Sequence, residues 1–423
     1  MNSRKIAGLR WYIALLLCLA SGLNYFDRQT LSVLAHTIQD ELKLTTAHYA
    51  DITSAFLLSY TIMYAVCGRL VDRLGTRRSF TIFVSGWSVA NMLHGLAQSA
   101  AHFMGFRFLL GATEAAHFPA GIRAVTEWFP MRDRAMAVGI FNAGTAVGAA
   151  LAAPMVSWIA LTWGWRSAFV AGGVLGLLWV AVWAVIYQLP RQHRWLGAEE
   201  LNLIESGAPP EAAGTPPPTI PIRQLLGVRE VWGCVLARAF TDPISFFFVF
   251  WTPKYLQEAR GFDLASIGKY SWIPFAVLAI GNIAGGWIPT ALMRRGWSHN
   301  RARKTVMGVA TAMIPVCCIA VTRVPGPAMA LTLISVAMFF HAAWQNITLP
   351  AEVFPPHVVG SVTGMAGAIG GLCGVLSQQG IGWTVQNQSY TPVFLGMMVL
   401  YPVAFASVCL FIRQLGHERK FAT

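Results

Sequence analysis

Six charged residues stand inside otherwise apolar stretches of the sequence: Asp27, Arg28, Arg107, Glu114, Arg238 and Asp242. In a helix, the seven-residue spacing of Arg107 and Glu114 places them on one face two turns apart. The four-residue spacing of Arg238 and Asp242 lets them pair directly.

A charge in hydrocarbon costs several kcal/mol unless it is paired or hydrated. A buried cation can attract the carboxylate of an anionic substrate, and a buried carboxylate can take up and release a proton. The alternative to a role in transport is that these charges form static ion pairs that stabilise the helices. We favour this alternative for Arg238 and Asp242, which can pair within one helix.

Membrane-spanning helices are the elements that must hold these charges. The chain has 423 residues, of which 55% are apolar and 12% charged, whereas soluble domains carry about a quarter charged residues. Windows of roughly 20 mostly apolar residues are long enough to cross ~30 Å of hydrocarbon as helices. They fall near 11–33, 48–70, 79–99, 101–124, 135–158, 164–188, 231–256, 268–292, 304–323, 327–350, 358–383 and 391–413. The windows do not alternate as barrel strands do. We therefore predict an all-α integral membrane protein with twelve transmembrane helices.

The basic residues are distributed unevenly along the chain. With a cytoplasmic N-terminus, 22 of the 31 Lys and Arg fall in cytoplasmic segments, six in outer loops and three inside helices. Such a bias orients membrane proteins with their positive loops inside. We therefore expect both termini in the cytoplasm, and we do not interpret the net charge of +13 as a nucleic-acid-binding surface.

The chain divides into two similar halves. A polar, proline-rich connection over 189–230, expected to carry a short amphipathic helix near 197–207, separates residues 1–188 from 231–423. Glu127-Trp128-Phe129-Pro130 precedes the fifth window, and Glu352-Val353-Phe354-Pro355 precedes the eleventh. Gly139 and Gly364 follow at the same distance, so the blocks align without gaps. Two parallel halves of six helices are related by an axis along the membrane normal, and substrate then binds between them near the midplane.

A loop motif follows the second window: Gly68-x-x-x-Asp72-Arg73-x-Gly75-x-Arg77-Arg78. Its glycines permit a tight turn and close helix approach, and Asp72 can meet a neighbouring helix terminus or a cation. At this loop the chain resembles the major facilitator superfamily, of which the loop is the signature. We assign a gating or structural role to Asp72, Arg73, Arg238 and Asp242.

Four further sequence blocks make the resemblance specific to one family within the superfamily. They are Asn24-Tyr25-Phe26-Asp27-Arg28, Glu127-Trp128-Phe129-Pro130, Ala237-Arg238-Ala239-Phe240-Thr241-Asp242-Pro243 and Gly364-Met365-Ala366-Gly367-Ala368. Together they are similar to the anion:cation symporter family, and within it to bacterial hexuronate transporters. The resemblance implies the major facilitator fold and a bacterial inner membrane. It also implies that Asp27 and Glu114 couple protons while Arg28 and Arg107 act on substrate. Gly367-Ala368 replaces an Asn of the galactonate type, which matches the hexuronate type better.

Uncharged polar side chains inside the windows are candidate contacts for sugar hydroxyls: Tyr25, Tyr60, Asn142, Thr145, Gln345 and Asn346. Trp344 could stack on a sugar ring face. Helix packing is the alternative interpretation for each of them. We interpret His117 and His341 as buried histidines with satisfied hydrogen bonds. The predicted substrate-binding set is Tyr25, Arg28, Tyr60, Arg107, Asn142, Trp344 and Gln345.

These observations predict a proton-coupled symporter that imports a small organic anion, a hexuronate or related sugar acid, by alternating access. An anion exchanger or exporter of the same fold and a non-transporting membrane sensor are the alternatives. The sequence shows no nucleophile–base pair, phosphate loop or metal-ligand spacing, so we expect no enzymatic activity, cofactor or metal. The expected partners are the substrate anion, protons and the lipid bilayer, with the protein as a monomer.

Overall fold

The computed structural model describes residues 5–205, 221–344 and 348–416, so the predicted contacts Gln345 and Asn346 lie outside the described residues. Within these ranges the chain is helical and contains no strand. The first half contains seven helices in six membrane-crossing segments: α1 (Leu9–Leu42), α2 (Thr46–Leu74), α3 (Thr76–His94), α4 (Ala100–Glu114), α5 (His117–Trp128), α6 (Met131–Trp163) and α7 (Trp165–Ile186). The fourth segment is broken between α4 and α5.

Short helices lie in the connection, and six further segments make up the second half. The connection contains a 3-10 turn over Pro190–Gln192, α8 (Ala198–Glu205) and α9 (Ile222–Leu226). The second half contains α10 (Arg229–Phe250), α11 (Thr252–Arg260), α12 (Leu264–Tyr270), α13 (Ile273–Arg294), α14 (His299–Arg323), α15 (Pro327–Trp344), α16 (Leu349–Val353), α17 (Pro356–Asn387) and α18 (Thr391–Phe411). The pairs α10–α11, α12–α13 and α15–α16 each continue one segment, which confirms the prediction of twelve transmembrane helices.

Ten of the segments are long and apolar enough to cross a membrane by length and composition alone. The other two are the third and fourth. Helix α3 is only 19 residues long and carries Arg77, Arg78 and Asn91, and the fourth segment is divided into two short helices. The segments with the weakest apolar signal are therefore among those that hold buried polar groups.

The two halves repeat one pattern of helix pairing. The first segment packs on the fifth, the second on the fourth and the third on the sixth, and the corresponding segments of the second half pair in the same way. Small residues allow the closest of these contacts, between α1 and α6. A Cβ atom at Gly144 would stand 2.0 Å from the Cys18 carbonyl oxygen, and one at Gly148 would stand 2.1 Å from that of Gly22. Only glycine fits at such an approach.

The described terminal residues and the connection share one end of the bundle, which we call the linker end, and we call the opposite end the far end. Gly8 offers α1 no side-chain cap. The Glu200 carboxylate of α8 accepts hydrogen bonds from the backbone N–H groups of Leu9 (3.1 Å) and Arg10 (3.3 Å) instead. An acidic group at a helix N-terminus satisfies free N–H groups and opposes the helix dipole. The predicted linker helix is present as α8, and it holds the first turn of α1.

Candidate substrate and proton site

The centre of the first half contains a buried ion pair between α1 and α4. Arg28 is 8% exposed, and its Nε donates to Oε2 of the fully buried Glu114 at 2.6 Å. The Arg28 guanidinium carbon also lies 5.0 Å from the ring centre of Tyr25, 5.2 Å from that of Phe56 and 4.7 Å from that of Tyr60. Aromatic faces stabilise a cation at these distances. Arg28 Nη2 has no hydrogen-bond partner among the described residues, so one edge of the guanidinium remains available.

Glu114 has its bonded partner on another helix. The sequence places Glu114 and Arg107 on one face of α4, but Glu114 bonds to Arg28 of α1. A separation of seven residues is about 10 Å along a helix axis, beyond the reach of the three- and four-residue pairs. Arg107 is 1% exposed, and none of its three side-chain nitrogens has a hydrogen-bond partner within the described ranges. Arg107 is therefore a buried cation without a bonded counter-ion, close enough to act on Glu114 and Asp27 electrostatically.

Asp27 faces a different part of the first half from its neighbour Arg28. Its Oδ1 accepts from Asn91 Nδ2 of α3 at 2.7 Å. Asn91 Nδ2 also donates to the Phe169 carbonyl of α7 at 3.1 Å. Successive residues of a helix point about 100° apart, so α1 directs one charge toward α4 and the other toward α3 and α7. Asn91 could not be singled out from the sequence, because one uncharged polar residue in an apolar helix has no distinctive signal.

Toward the far end, the halves meet through a helix break. Pro253 has no N–H to donate to the Val249 carbonyl one turn earlier, and this carbonyl accepts from Gln29 Nε2 at 3.2 Å. The next carbonyl, Phe250, accepts from Ser32 Oγ at 2.9 Å and from Tyr49 OH. The remaining hydrogen bonds between the halves in the described part of the chain also lie toward this end and include the contact of buried Lys254 with Gln39.

Toward the linker end, side chains near this site become exposed. Tyr60 stacks on Tyr64 with ring centres 5.8 Å apart, and Tyr64 is 39% exposed one turn nearer the linker end. Asn142 of α6 is exposed, and Thr145 is partly exposed and donates to the Asn142 carbonyl at 2.8 Å. Arg28 therefore lies between exposed side chains toward the linker end and the hydrogen bonds between the halves toward the far end.

One predicted contact and two histidines are packed inside the protein in this conformation. Trp344 is 1% exposed, and its Nε1 donates to Thr311 Oγ1 at 3.1 Å, so its ring is not presented to substrate here. Its role in stacking on a sugar stays a prediction. His341 is half-buried, and both of its ring nitrogens have partners: Nε2 contacts Ser245 Oγ at 2.9 Å and Nδ1 contacts Tyr401 OH. His117 is buried and its Nε2 contacts Ser21 Oγ at 2.9 Å, but its Nδ1 has no partner among the described residues, so its predicted hydrogen bonding is only half met.

Three of the four predicted structural charges form ion pairs outside the central cluster. Arg238 and Asp242 lie 2.8 Å apart, as their spacing predicted. Asp72 accepts from Arg123 of α5 at 3.3 Å, and Arg73 is exposed. Arg123 also binds Glu127 at 2.9 Å within the same helix. The repeated glutamates therefore differ in their partners, because Glu352 binds the buried Arg303 of another helix, α14, at 2.9 Å.

Comparisons with known proteins agree with this architecture. The family model described as Major Facilitator Superfamily matches residues 17–378. The hexuronate transporter of Escherichia coli strain K12 is 32% identical over 428 residues, covering 98% of each chain. The D-galactonate transporter of Escherichia coli O6:H1 strain CFT073 is 29% identical over 429 residues, covering 99% of each. A solved structure of a bacterial homolog of the human lysosomal transporter Spinster, inward-facing and unoccupied, has a TM-score of 0.74 at 19% identity and covers 96% of this chain and 98% of that one.

Proposed function

Because this multi-pass membrane chain belongs to the Major Facilitator Superfamily of transporters, we propose that it is a proton-coupled symporter that imports a hexuronate or related sugar acid by alternating access. The observation that carries the proposal is the buried Arg28–Glu114 pair, and we place this pair at the base of a substrate passage that opens at the linker end. The relatives named as hexuronate and D-galactonate transporters support an anionic sugar as substrate.

Arg28 is the group that would bind the substrate carboxylate. A guanidinium binds a carboxylate most strongly through two parallel N–H···O bonds. Glu114 already occupies Arg28 Nε, so substrate and Glu114 compete for the same cation. Protonation of Glu114 removes its negative charge and weakens its hold on Arg28. A proton on Glu114 therefore favours substrate binding, and substrate binding favours the proton by linkage.

The charge of the buried cluster gives the same coupling independently. Two arginines, Arg28 and Arg107, balance two carboxylates, Asp27 and Glu114, so the cluster is neutral when all four are ionised. A bound sugar acid adds one negative charge, which is costly in a site that excludes water. One proton restores neutrality. The loaded site is then neutral only if substrate and proton are carried together.

Uncharged neighbours would recognise the rest of the sugar. Tyr25 and Tyr60 flank Arg28 with their rings, and Asn142 presents an amide at the accessible side. An aromatic face packs on the apolar side of a sugar ring, and an amide can bind two hydroxyl groups. Trp344 and Gln345 would join this set when the second half closes on the substrate.

We place the linker end in the cytoplasm of a bacterial inner membrane, where the basic residues concentrate. The passage to Arg28 is then open to the cytoplasm in this conformation, which is the state after substrate release. Asp72, Arg123 and Glu127 connect α2 and α5 at this end. We propose that these ion pairs hold the helices of the first half together while the two halves of the transporter rock against each other.

Uptake by the purified protein in liposomes tests the proposal. D-Glucuronate, D-galacturonate, D-galactonate and D-glucarate are offered under an inward proton gradient, with and without a protonophore. We expect accumulation of at least one sugar acid, loss of accumulation with the protonophore, and alkalinisation of the outer medium on substrate addition. Accumulation that is insensitive to the protonophore and needs a sugar acid inside the liposomes would identify an exchanger and overturn the proposal.

A further inference from the structure

A second polar cluster lies inside the first half, on the side of α1 that faces away from the substrate passage. Its members are Asp27 of α1 and Asn91 and His94 of α3, all with 0% exposure. Asn91 and His94 are one helical turn apart, about 4.5 Å along the axis. The family resemblance implies that Asp27 couples protons together with Glu114, and Asp27 is fully buried on the side of α1 away from Arg28.

Glycine makes the space in which Asp27 and Asn91 meet. A Cβ atom at Gly172 of α7 would stand 2.6 Å from Asn91 Nδ2 and 2.6 Å from Asp27 Oδ1. Side-chain carbon never approaches polar atoms this closely, so α7 can pack here only without a side chain. The missing side chain leaves the Asn91–Asp27 hydrogen bond of 2.7 Å undisturbed between three helices.

Several polar atoms around this bond have no protein partner in the described ranges: Asp27 Oδ2, Asn91 Oδ1 and His94 Nε2. His94 Nδ1 lies 2.8 Å from the Ala90 carbonyl, which can only accept, so Nδ1 carries the ring proton and the neutral Nε2 is an acceptor. Buried polar atoms in native proteins are bonded to protein or to ordered water. Because these three acceptors have no protein donor, we expect ordered water to bind them. Bound water can also carry protons into the cluster.

The barrier between the cluster and the far end is short. His94 is the last residue of α3, and Leu96 two residues later is 69% exposed. The His94 ring stacks on Phe169 at 5.2 Å and lies 5.6 Å from the Phe103 ring. The central passage, in contrast, is closed toward the far end by the contacts of Gln29, Ser32 and Tyr49.

We propose that Asp27 exchanges its proton with solvent at the far end through the interior of the first half, along α3, with Asn91 and His94 as positioning residues of this route. A hydronium ion at the far end transfers its proton along waters held by His94 Nε2 and Asn91 Oδ1 to Asp27 Oδ2, and is left as water. The charged groups that face Asp27 are Arg107 and Glu114, both of α4. Arg107 also acts electrostatically on His94.

The route is separate from the substrate path, and this separation has a consequence for coupling. Far-end protons can reach Asp27 while the substrate passage is open only at the linker end. This inference rests on the proposed proton coupling, since a transporter without coupling has no use for the route.

Three variants test the route in liposomes against one matched control. Gly172→Ala inserts a methyl group into the Asn91–Asp27 bond, Asn91→Leu removes the amide, and His94→Phe keeps an aromatic ring on Phe169 but removes Nε2. Gly105→Ala is the control, because a Cβ atom there would meet nothing within 4 Å. Two rates are compared for each protein: accumulation driven by a proton gradient, and counterflow exchange of labelled for unlabelled sugar acid, which needs no net proton movement.

We expect accumulation to fall about tenfold or more in all three variants, the effect of losing roughly 1.4 kcal/mol, while counterflow stays within about twofold of wild type. The Gly105→Ala protein should match wild type in both rates. Accumulation at the wild-type rate in Gly172→Ala and His94→Phe would overturn the route. Loss of counterflow together with accumulation would also overturn it, because the residues would then serve folding alone. If the wild-type protein itself fails to accumulate any sugar acid on a proton gradient, the proposed function fails first.

Discussion

Replacement of Glu114 by glutamine isolates the charge on which the proposed coupling depends. The side chain keeps its size, and its amide oxygen can still accept from Arg28 Nε at the position now 2.6 Å away. What is lost is one negative charge in a fully buried site. The cluster then carries two cations and one carboxylate, a net charge of +1 that a sugar acid neutralises without any added proton.

The magnitude follows from the hydrogen bond that is weakened. Hydrogen bonds to charged groups contribute about 1.5–3 kcal/mol and neutral ones about 1 kcal/mol. The substitution therefore releases Arg28 by about 0.5–2 kcal/mol, a factor of roughly 2–30 in binding. We expect Glu114→Gln to bind the sugar acid about 2–30 times more tightly than wild type at alkaline pH. The wild-type affinity should weaken as pH rises, because Glu114 must be protonated to release Arg28, whereas the variant's affinity should not change.

The assay compares binding, counterflow and gradient-driven uptake in one liposome preparation. Glu114→Gln should bind and exchange substrate but fail to accumulate it on a proton gradient. Glu41→Gln is the control, since it removes one negative charge from a half-exposed pair with Arg166 at the far end of α1. Normal accumulation by Glu114→Gln would refute the reasoning, and coupling would then be sought at Asp27 or Asp242. A pH-dependent affinity in the variant would refute the charge argument as well.

Three further predictions concern the substrate cation, helix packing and topology. Arg28→Lys should weaken equilibrium binding about tenfold or more, because an ammonium group cannot form the two-bond fork; wild-type affinity would place the carboxylate elsewhere. Gly148→Ala should lower the free energy of unfolding by about 1–3 kcal/mol in thermal denaturation, since its Cβ would lie 2.1 Å from Gly22 O, whereas Gly139→Ala, with nothing within 4 Å, should not. A cysteine at position 297 should react with impermeant reagents only from the cytoplasm and one at 262 only from outside, and the reverse pattern would contradict the charge bias.

The course of the chain could be predicted because the bilayer restricts it so strongly. Only helices of about 20 apolar residues satisfy the backbone in hydrocarbon, so windows of that length identify them. The ends of the helices were less predictable. The first window ends near 33, but α1 continues to Leu42, since its last turns carry His36, Asp40 and Glu41. Hydropathy detects the part of a helix in hydrocarbon and misses the part that projects beyond it.

The partners inside the site could not be predicted in the same way. Sequence spacing fixes which residues share a face of one helix, and it correctly paired Arg238 with Asp242. It cannot fix which face of one helix meets which face of another. The spacing of Arg107 and Glu114 therefore showed their shared face on α4 but not the bonded partner of Glu114, which is Arg28 of α1. Asn91 escaped notice because its importance comes only from its contact with Asp27.

The placement of charge assigns different tasks to the two halves. The main membrane-embedded charges of the second half, Arg238 and Asp242, neutralise each other within one helix. The charge balance on which the proposed coupling depends therefore belongs to the first half. The second half contributes backbone carbonyls freed by Pro253, which accept from Gln29 and Ser32 and close the far end. Gln29 follows Arg28 directly on α1. A rotation of α1 that turns Arg28 from Glu114 toward a substrate must also move Gln29 relative to Val249, so the chemistry of the site and the closure of the far end are two consequences of the position of one helix.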